Sequence, residues 1–177
     1  MAVSVRLVVI GVGNTFRRDD GVGPAVVDLL RERAARGGLP AGVRLVCCDG
    51  EPGRLMALWE GAELAVIVDA ARARPGHPGR IHRLEPDGCP VRRAGAASGH
   101  GLGPAEAVAL ARALGAMPGR LVVYAVEGAD GSLGTGLSPA VAAAVDPLAE
   151  QITEELVRHS PPQDDAPAAG PHAMLER

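Results

Sequence analysis

The chain has 177 residues, 47% of them hydrophobic, with a single Trp, Tyr and Phe and a formal net charge of -3. This length predicts one domain, with a core that has to be aliphatic, and the charge leaves no basic footprint for nucleic acid. No apolar run approaches the roughly 20 residues of a membrane span, and Met1 to Ser4 lead straight into the first expected strand with no secretory leader, so a cytoplasmic protein is expected.

The stretch from Leu7 to Gly23, LVVIGVGNTFRRDDGVG, organises the rest. Val5 to Ile10 reads as a buried strand and Gly11-Val12-Gly13-Asn14 as a tight turn. A short loop then carries Asp19 and Asp20 into the start of a helix running from Pro24 to Arg36. Its expected apolar stripe is Val26, Val27, Leu30 and Ala34, and Gly37-Gly38 stops it. Strand two is Val43 to Cys48. A turn at Asp49 to Gly53 precedes a short helix, Arg54 to Trp59, with Leu55, Leu58 and Trp59 inward. Glu63 to Val68 is a fully buried parallel strand ending at Asp69.

A loop with two prolines, Arg72 to Gly79, leads to Arg80 to Leu84, whose alternating polarity suggests an edge strand. Glu85 to Gly101 is a long loop of the kind that is often functional. Pro104 to Leu114 is a helix with Val108, Ala111 and Leu114 on one face. Arg120 to Val126 is the last strand, followed by a glycine-rich loop, Gly128 to Leu137. Ser138 is expected to cap a final helix with Pro139 in its first turn and Val141, Val145, Leu148, Ile152 and Leu156 along one face. The domain spans residues 1–159. Residues 160–177, rich in Pro, Ala and Asp, read as a disordered tail. Strands alternating with helices predict an α/β fold with a mainly parallel sheet, helices on both faces and strand one near the centre.

Gly11-x-Gly13 after a strand begins a dinucleotide fingerprint, but Phe16 stands where the third glycine belongs, and two carboxylates guard the helix start where a phosphate would dock. No nucleotide is expected. Asp20, Asp69 and His100 instead all fall at strand or loop ends, where an open α/β sheet places its ligands. Two carboxylates and an imidazole suit Zn, Ni, Mn or Fe(II), and an open position would serve a substrate or water.

Each has a plainer reading. One acid at 19–20 can complement the helix dipole. Asp69 can cap the next segment, and His100 can lie on the surface. Of the acidic pair, Asp19 is expected to be structural and Asp20 the ligand. Arg17 and Arg18 either sit in solvent or steer a substrate; Arg92 and Arg93 read as solvated. Glu127 is expected to pair with an arginine, and His77, His82, His159 and His172 to lie on the surface. Cys47, Cys48 and Cys89 lack metal-finger spacing and read as reduced thiols.

GVGNTFRRDDGVGP at 11–24, IVDA at 67–70, SGHGLG at 98–103, VYAVEG at 123–128 and GLSPAV at 136–141 together resemble the [NiFe]-hydrogenase maturation proteases over residues 5–157. The resemblance implies a three-layer αβα sandwich around a twisted, mostly parallel five-stranded sheet of the phosphorylase/hydrolase-like type. It implies an endopeptidase, of aspartic or metal-dependent type, that removes a C-terminal extension from the nickel-loaded large-subunit precursor of a [NiFe] hydrogenase. The metal and catalytic residues it implies are Asp20, Asp69 and His100. Asn14 would support the acidic loop, as would Asp19. Nickel would arrive with the substrate, and the enzyme is expected to be a monomer. Two other readings stay open: a nickel-dependent docking or checkpoint factor that binds the same subunit without cutting it, and a peptidyl-tRNA-hydrolase-like esterase. The esterase should be more basic and carry a His near the glycine turn, where this chain has acids.

Overall fold

Alternating burial along three parallel strands sets the architecture. The computed structural model describes residues 6–86 and 103–161. In β1 (Leu7–Val12), β3 (Leu64–Ala71) and β5 (Arg120–Glu127), successive side chains enter opposite cores. Leu7, Val9, Leu64, Val66, Val68, Val122, Tyr124 and Val126 face one core. Val8, Ile10, Ala65, Ile67, Leu121 and Val123 face the other. A sheet buried on both sides needs helices on both. Helices α1 (Val22–Ala35) and α4 (Pro139–His159) cover the first face, while α2 (Pro52–Trp59) and α3 (Pro104–Leu114) cover the second.

The sheet order is β2-β1-β3-β5-β4, with β2 at Arg44–Cys48 and β4 at Ile81–Leu84. β4 alone is antiparallel and forms one edge, as its alternating polarity predicts. β1 lies inside the sheet between β2 and β3, and β3 holds the middle. The three-layer αβα fold around a mostly parallel five-stranded sheet is therefore the one expected.

The boundaries differ from the sequence reading in instructive places. β1 runs on through Gly11 and Val12, which stay in register with Cys47 and Cys48, so the turn opens only at Gly13, whose φ is +134°. β3 carries Asp69 inside the strand, paired with Ala125, and ends at Ala71. α1 starts two residues ahead of Pro24. Ala34 and Leu114, expected on buried stripes, are exposed. α2 begins at Pro52 because the Glu51 carboxylate accepts hydrogen bonds from the backbone N–H groups of Gly53 (2.8 Å) and Arg54 (2.7 Å).

Candidate active site

The carboxyl end of β1 meets the acidic segment at backbone distance. A Cβ on Gly23 would lie 2.6 Å from the Val12 nitrogen and 2.6 Å from the Val68 carbonyl oxygen, and one on Gly13 would overlap the Asp20 carbonyl oxygen. The glycines thus let the chain close on itself. The short 3₁₀ turn Arg18–Gly21 is laid directly over the ends of β1 and β3. Asn14 begins this loop: its side-chain oxygen accepts the Phe16 N–H (2.9 Å), its carbonyl accepts the Arg17 N–H (3.0 Å), and its own N–H donates to Asp20 Oδ2 (2.8 Å).

The two neighbouring acids have opposite environments. Asp19 is 2% exposed. Its Oδ2 accepts the N–H groups of Ala129 (2.8 Å) and Asp130 (2.9 Å) and the Ser138 hydroxyl (2.9 Å), and its Oδ1 accepts the Ser138 N–H (2.6 Å). Burial opposes the charge, but the hydrogen bonds from Ser138, Asp130 and Ala129 outweigh it and hold this carboxyl below its ordinary value. The Ser138 hydroxyl expected to cap α4 therefore serves Asp19 instead, and the helix start has no side-chain cap. Further bonds lace the acidic loop to the glycine-rich loop: Arg18 N–H to the Gly134 carbonyl (3.0 Å), Asp19 N–H to the Asp130 carbonyl (3.0 Å) and Gly134 N–H to the Phe16 carbonyl (2.9 Å).

Asp20 is half-buried and points toward a different task. Its Oδ1 receives no hydrogen bond among the described residues. Asp69 is also half-buried, and its one donor there is the adjacent Ala70 N–H, at 2.9 Å. Burial pushes the Asp69 carboxyl up to about 7, and the negative charge of Asp20 adds to the rise. Two carboxylates that repel each other and are short of donors form a site that a cation would complete. Among the described residues alone, no three His, Cys, Asp or Glu side chains stand together as a metal-ligating group. His100 lies outside the described residues, as do Cys89, Arg92, Arg93 and His172. The chain re-enters at Gly103, the residue preceding α3. Because α3 leads into β5, that end of the helix lies at the carboxyl edge of the sheet.

Beside Asp20 opens a cavity of about 440 Å³ whose walls include Arg17, Asp130, Ala70, Arg72 and Arg74. The loop carrying Arg72 and Arg74 is held by Glu127, which is 3% exposed. Its carboxylate accepts the His77 N–H (2.5 Å) and contacts His82 Nε2 (2.6 Å), and its carbonyl accepts the Gly79 N–H (2.7 Å). Glu127 thus pairs with a histidine, not with an arginine. His82 is not free on the surface, and neither is His159, which contacts the Glu155 carbonyl (2.8 Å) and Arg120. Asp130 and the Asp19-binding role of Ser138 are missed by sequence reasoning, and Glu127 is singled out there but with the wrong partner. Its signal is a carboxylate ending an apolar strand.

Cys47 is exposed and Cys48 buried, both as free thiols, and burial raises both pKa values. No described helix is long and apolar enough to cross a membrane.

Comparison with known proteins gives concordant matches. The sequence model of a family described as hydrogenase maturation protease matches residues 26–155. The chain is 29% identical over 154 residues to the hydrogenase 2 maturation protease of Escherichia coli K12, covering 86% of this chain and 91% of that protein. It is 30% identical over 152 residues to the hydrogenase expression/formation protein HupD of Rhodobacter capsulatus, covering 84% of this chain and 70% of that one. The solved structure of the hydrogenase maturating endopeptidase HybD from E. coli superposes with a TM-score of 0.71 at 26% identity, covering 87% of this chain and 93% of that one.

Proposed function

The chain belongs to the hydrogenase maturation protease family, and we propose from that premise that it removes a C-terminal extension from the nickel-loaded large-subunit precursor of a [NiFe] hydrogenase. The observation that carries this reading is the Asp20–Asp69 pair at the carboxyl edge of the sheet. It is poor in hydrogen-bond donors, and its Asp20 member lines a cavity of about 440 Å³. A substrate that brings its own metal supplies the missing positive charge.

Asp20, Asp69 and His100 would grip the nickel held by the precursor and so fix the scissile bond beside them. Asn14 would hold Asp20 through its backbone N–H, and Asp19 would hold the loop from behind. A carboxylate in this setting can also take a proton from water. Asp69, raised to about 7, is poised for that work near neutral pH. Placement of the bond next to a fixed base supplies much of the barrier reduction. The enzyme would act as a cytoplasmic monomer, and precursor without nickel would not be cut because nothing seats it.

The test is incubation with a large-subunit precursor, with and without inserted nickel, followed by intact mass. Loss of a C-terminal peptide from the loaded form only, abolished by Asp20→Asn or His100→Ala, is the expected result. An unchanged mass for a loaded precursor that nonetheless binds would replace the endopeptidase with a docking factor.

A further inference from the structure

The cavity beside Asp20 carries both signs of charge in its lining, and only the acidic residues are explained by the proposed chemistry. Arg17, Arg72 and Arg74 also line it. The acids near them are already engaged. Both oxygens of Asp19 accept donors from 129, 130 and 138. Asp130 accepts the Ser132 N–H at 2.8 Å and pairs with Arg18 Nε at 3.2 Å, with Arg72 adding a weaker attraction. Among the described residues the guanidinium groups of Arg17 and Arg74 meet neither a hydrogen-bond acceptor nor an ion-pair partner. The lining therefore keeps positive charge at Arg17 and Arg74 that no described acid pairs with, beside the negative charge of Asp20.

Arg72 and Arg74 are exposed and Arg17 half-buried, but the backbone that carries all three is tied down. Arg17 sits in the loop bridged to Gly134. Arg72 and Arg74 ride on the segment that Glu127 holds through His77 and Gly79. The small side chains of Ala70, Ala71 and Ala73 leave the cavity open between them.

We infer that the unpaired arginines of this cavity receive a carboxylate of the substrate peptide. Arg–carboxylate pairing is planar, frequently bidentate and directional. The proposal rests on the endopeptidase reading and deepens it. A substrate held by its metal at Asp20 and by a carboxylate at Arg17 and Arg74 is bound at two points, the second adding affinity. The carboxylate can come from an acidic side chain flanking the bond or from the free C-terminus of the extension. The chemistry is shared, so the experiment has to separate the sources.

Fluorescence anisotropy on the full chain would use three labelled decapeptides of one neutral sequence. The first carries two glutamates and an amidated C-terminus. The second has glutamines there and a free terminus, and the third has glutamines and an amidated terminus. One of the first two is expected to bind at least about tenfold tighter than the third, and its identity names the source. The doubly substituted protein R17Q/R74Q, checked for folding by the fluorescence of its single tryptophan, is expected to lose that preference. Three equal affinities, or a preference that survives the substitutions, overturn the proposal.

In cleavage of a nickel-loaded precursor, the same variant is expected to raise KM by about tenfold while kcat changes little, the signature of lost substrate binding. A wild-type protein that cuts no loaded precursor sinks the endopeptidase reading, and the anisotropy result still decides the arginine pocket by itself.

Discussion

Asp19 and Ser138, 119 residues apart, are joined twice: the Ser138 N–H reaches Oδ1 at 2.6 Å and its hydroxyl reaches Oδ2 at 2.9 Å. This contact fastens the acidic loop after β1 to the start of the last helix, and it explains why two adjacent aspartates behave differently. Asp19 spends its charge on the scaffold and leaves Asp20 as the available carboxylate.

Asp19→Ala would strand four donors around a buried site. Hydrogen bonds to a charged group are worth about 1.5–3 kcal/mol each and do not add fully, so a loss of about 3–5 kcal/mol is expected. Urea unfolding followed by circular dichroism measures it. The wild-type contribution should also depend on acid. The folded pKa lies below the unfolded 3.8, so the stabilisation is present above 3.8 and disappears as pH falls through the folded value. Asp19→Asn should flatten that acid limb, and an unchanged limb would contradict the assignment.

Asp69 should give the opposite slope. Its folded pKa, about 7, lies above the ordinary 3.8. The proton is bound more tightly in the folded state, so stability is full below about 4 and declines as pH rises toward 7, after which the loss is constant. Asp69→Asn should remove the decline. Carbon-detected NMR titration of the Asp69 carboxyl gives the pKa directly, and a value near 4 would remove the basis for both the slope and the poised base.

Gly23→Ala should unfold or severely destabilise the protein. Its Cβ would stand 2.6 Å from both the Val12 nitrogen and the Val68 carbonyl oxygen, and neither atom can retreat without breaking the sheet. A cost of at least about 3 kcal/mol is expected from overpacking against backbone. Thermal unfolding tests this, with Gly37→Ala as a contrast, since space there is open and only the positive φ of +76° resists.

Glu127→Gln should weaken the hold on the loop carrying Arg72 and Arg74 while leaving the sheet intact. Hydrogen bonds from the His77 N–H and from His82 keep the Glu127 carboxyl below its ordinary value. Its contribution is therefore present above pH 4.5 and lost as pH falls through the folded value. A rise in KM for precursor is expected, together with a fall in Tm above pH 4.5 that fades as the pH drops through the folded value. An equal fall in kcat and KM would place Glu127 elsewhere in the cycle.

The sheet was legible because period-2 burial and unbroken apolar runs are local signals. Leu64 to Val68 advertise a strand covered on both sides, and β4 advertises an edge. Asp69 drew notice because a carboxylate at the end of an apolar strand is itself a local anomaly, and Asp20 because two adjacent acids at a helix start repel each other. Ser138, Asp130 and the Glu127–His82 pair were not legible, since each depends on which loops the topology brings together. Ser138 misled for a physical reason: its hydroxyl is a good helix cap in isolation, but here it is turned to donate to the buried Asp19 carboxylate, a strong charge-assisted bond, and accepts from no helix N–H. The turn was placed early because Gly11 looks like a loop residue, whereas its lack of a side chain is what lets the strand pass beneath Gly23.

The bond between Asp19 and Ser138 also sets an order of assembly on the ribosome. A chain that has emerged only through β5 contains Asp20 and Asp69 but has no Ser138 to anchor the loop that presents them. α1 likewise has not yet met α4, with which it shares a core. Anchoring of the Asp20 loop therefore waits for nearly the whole polypeptide, because long-range closure comes last when sequence separation is large. The candidate site and the fold are thus completed in the same step, by the same pair of hydrogen bonds.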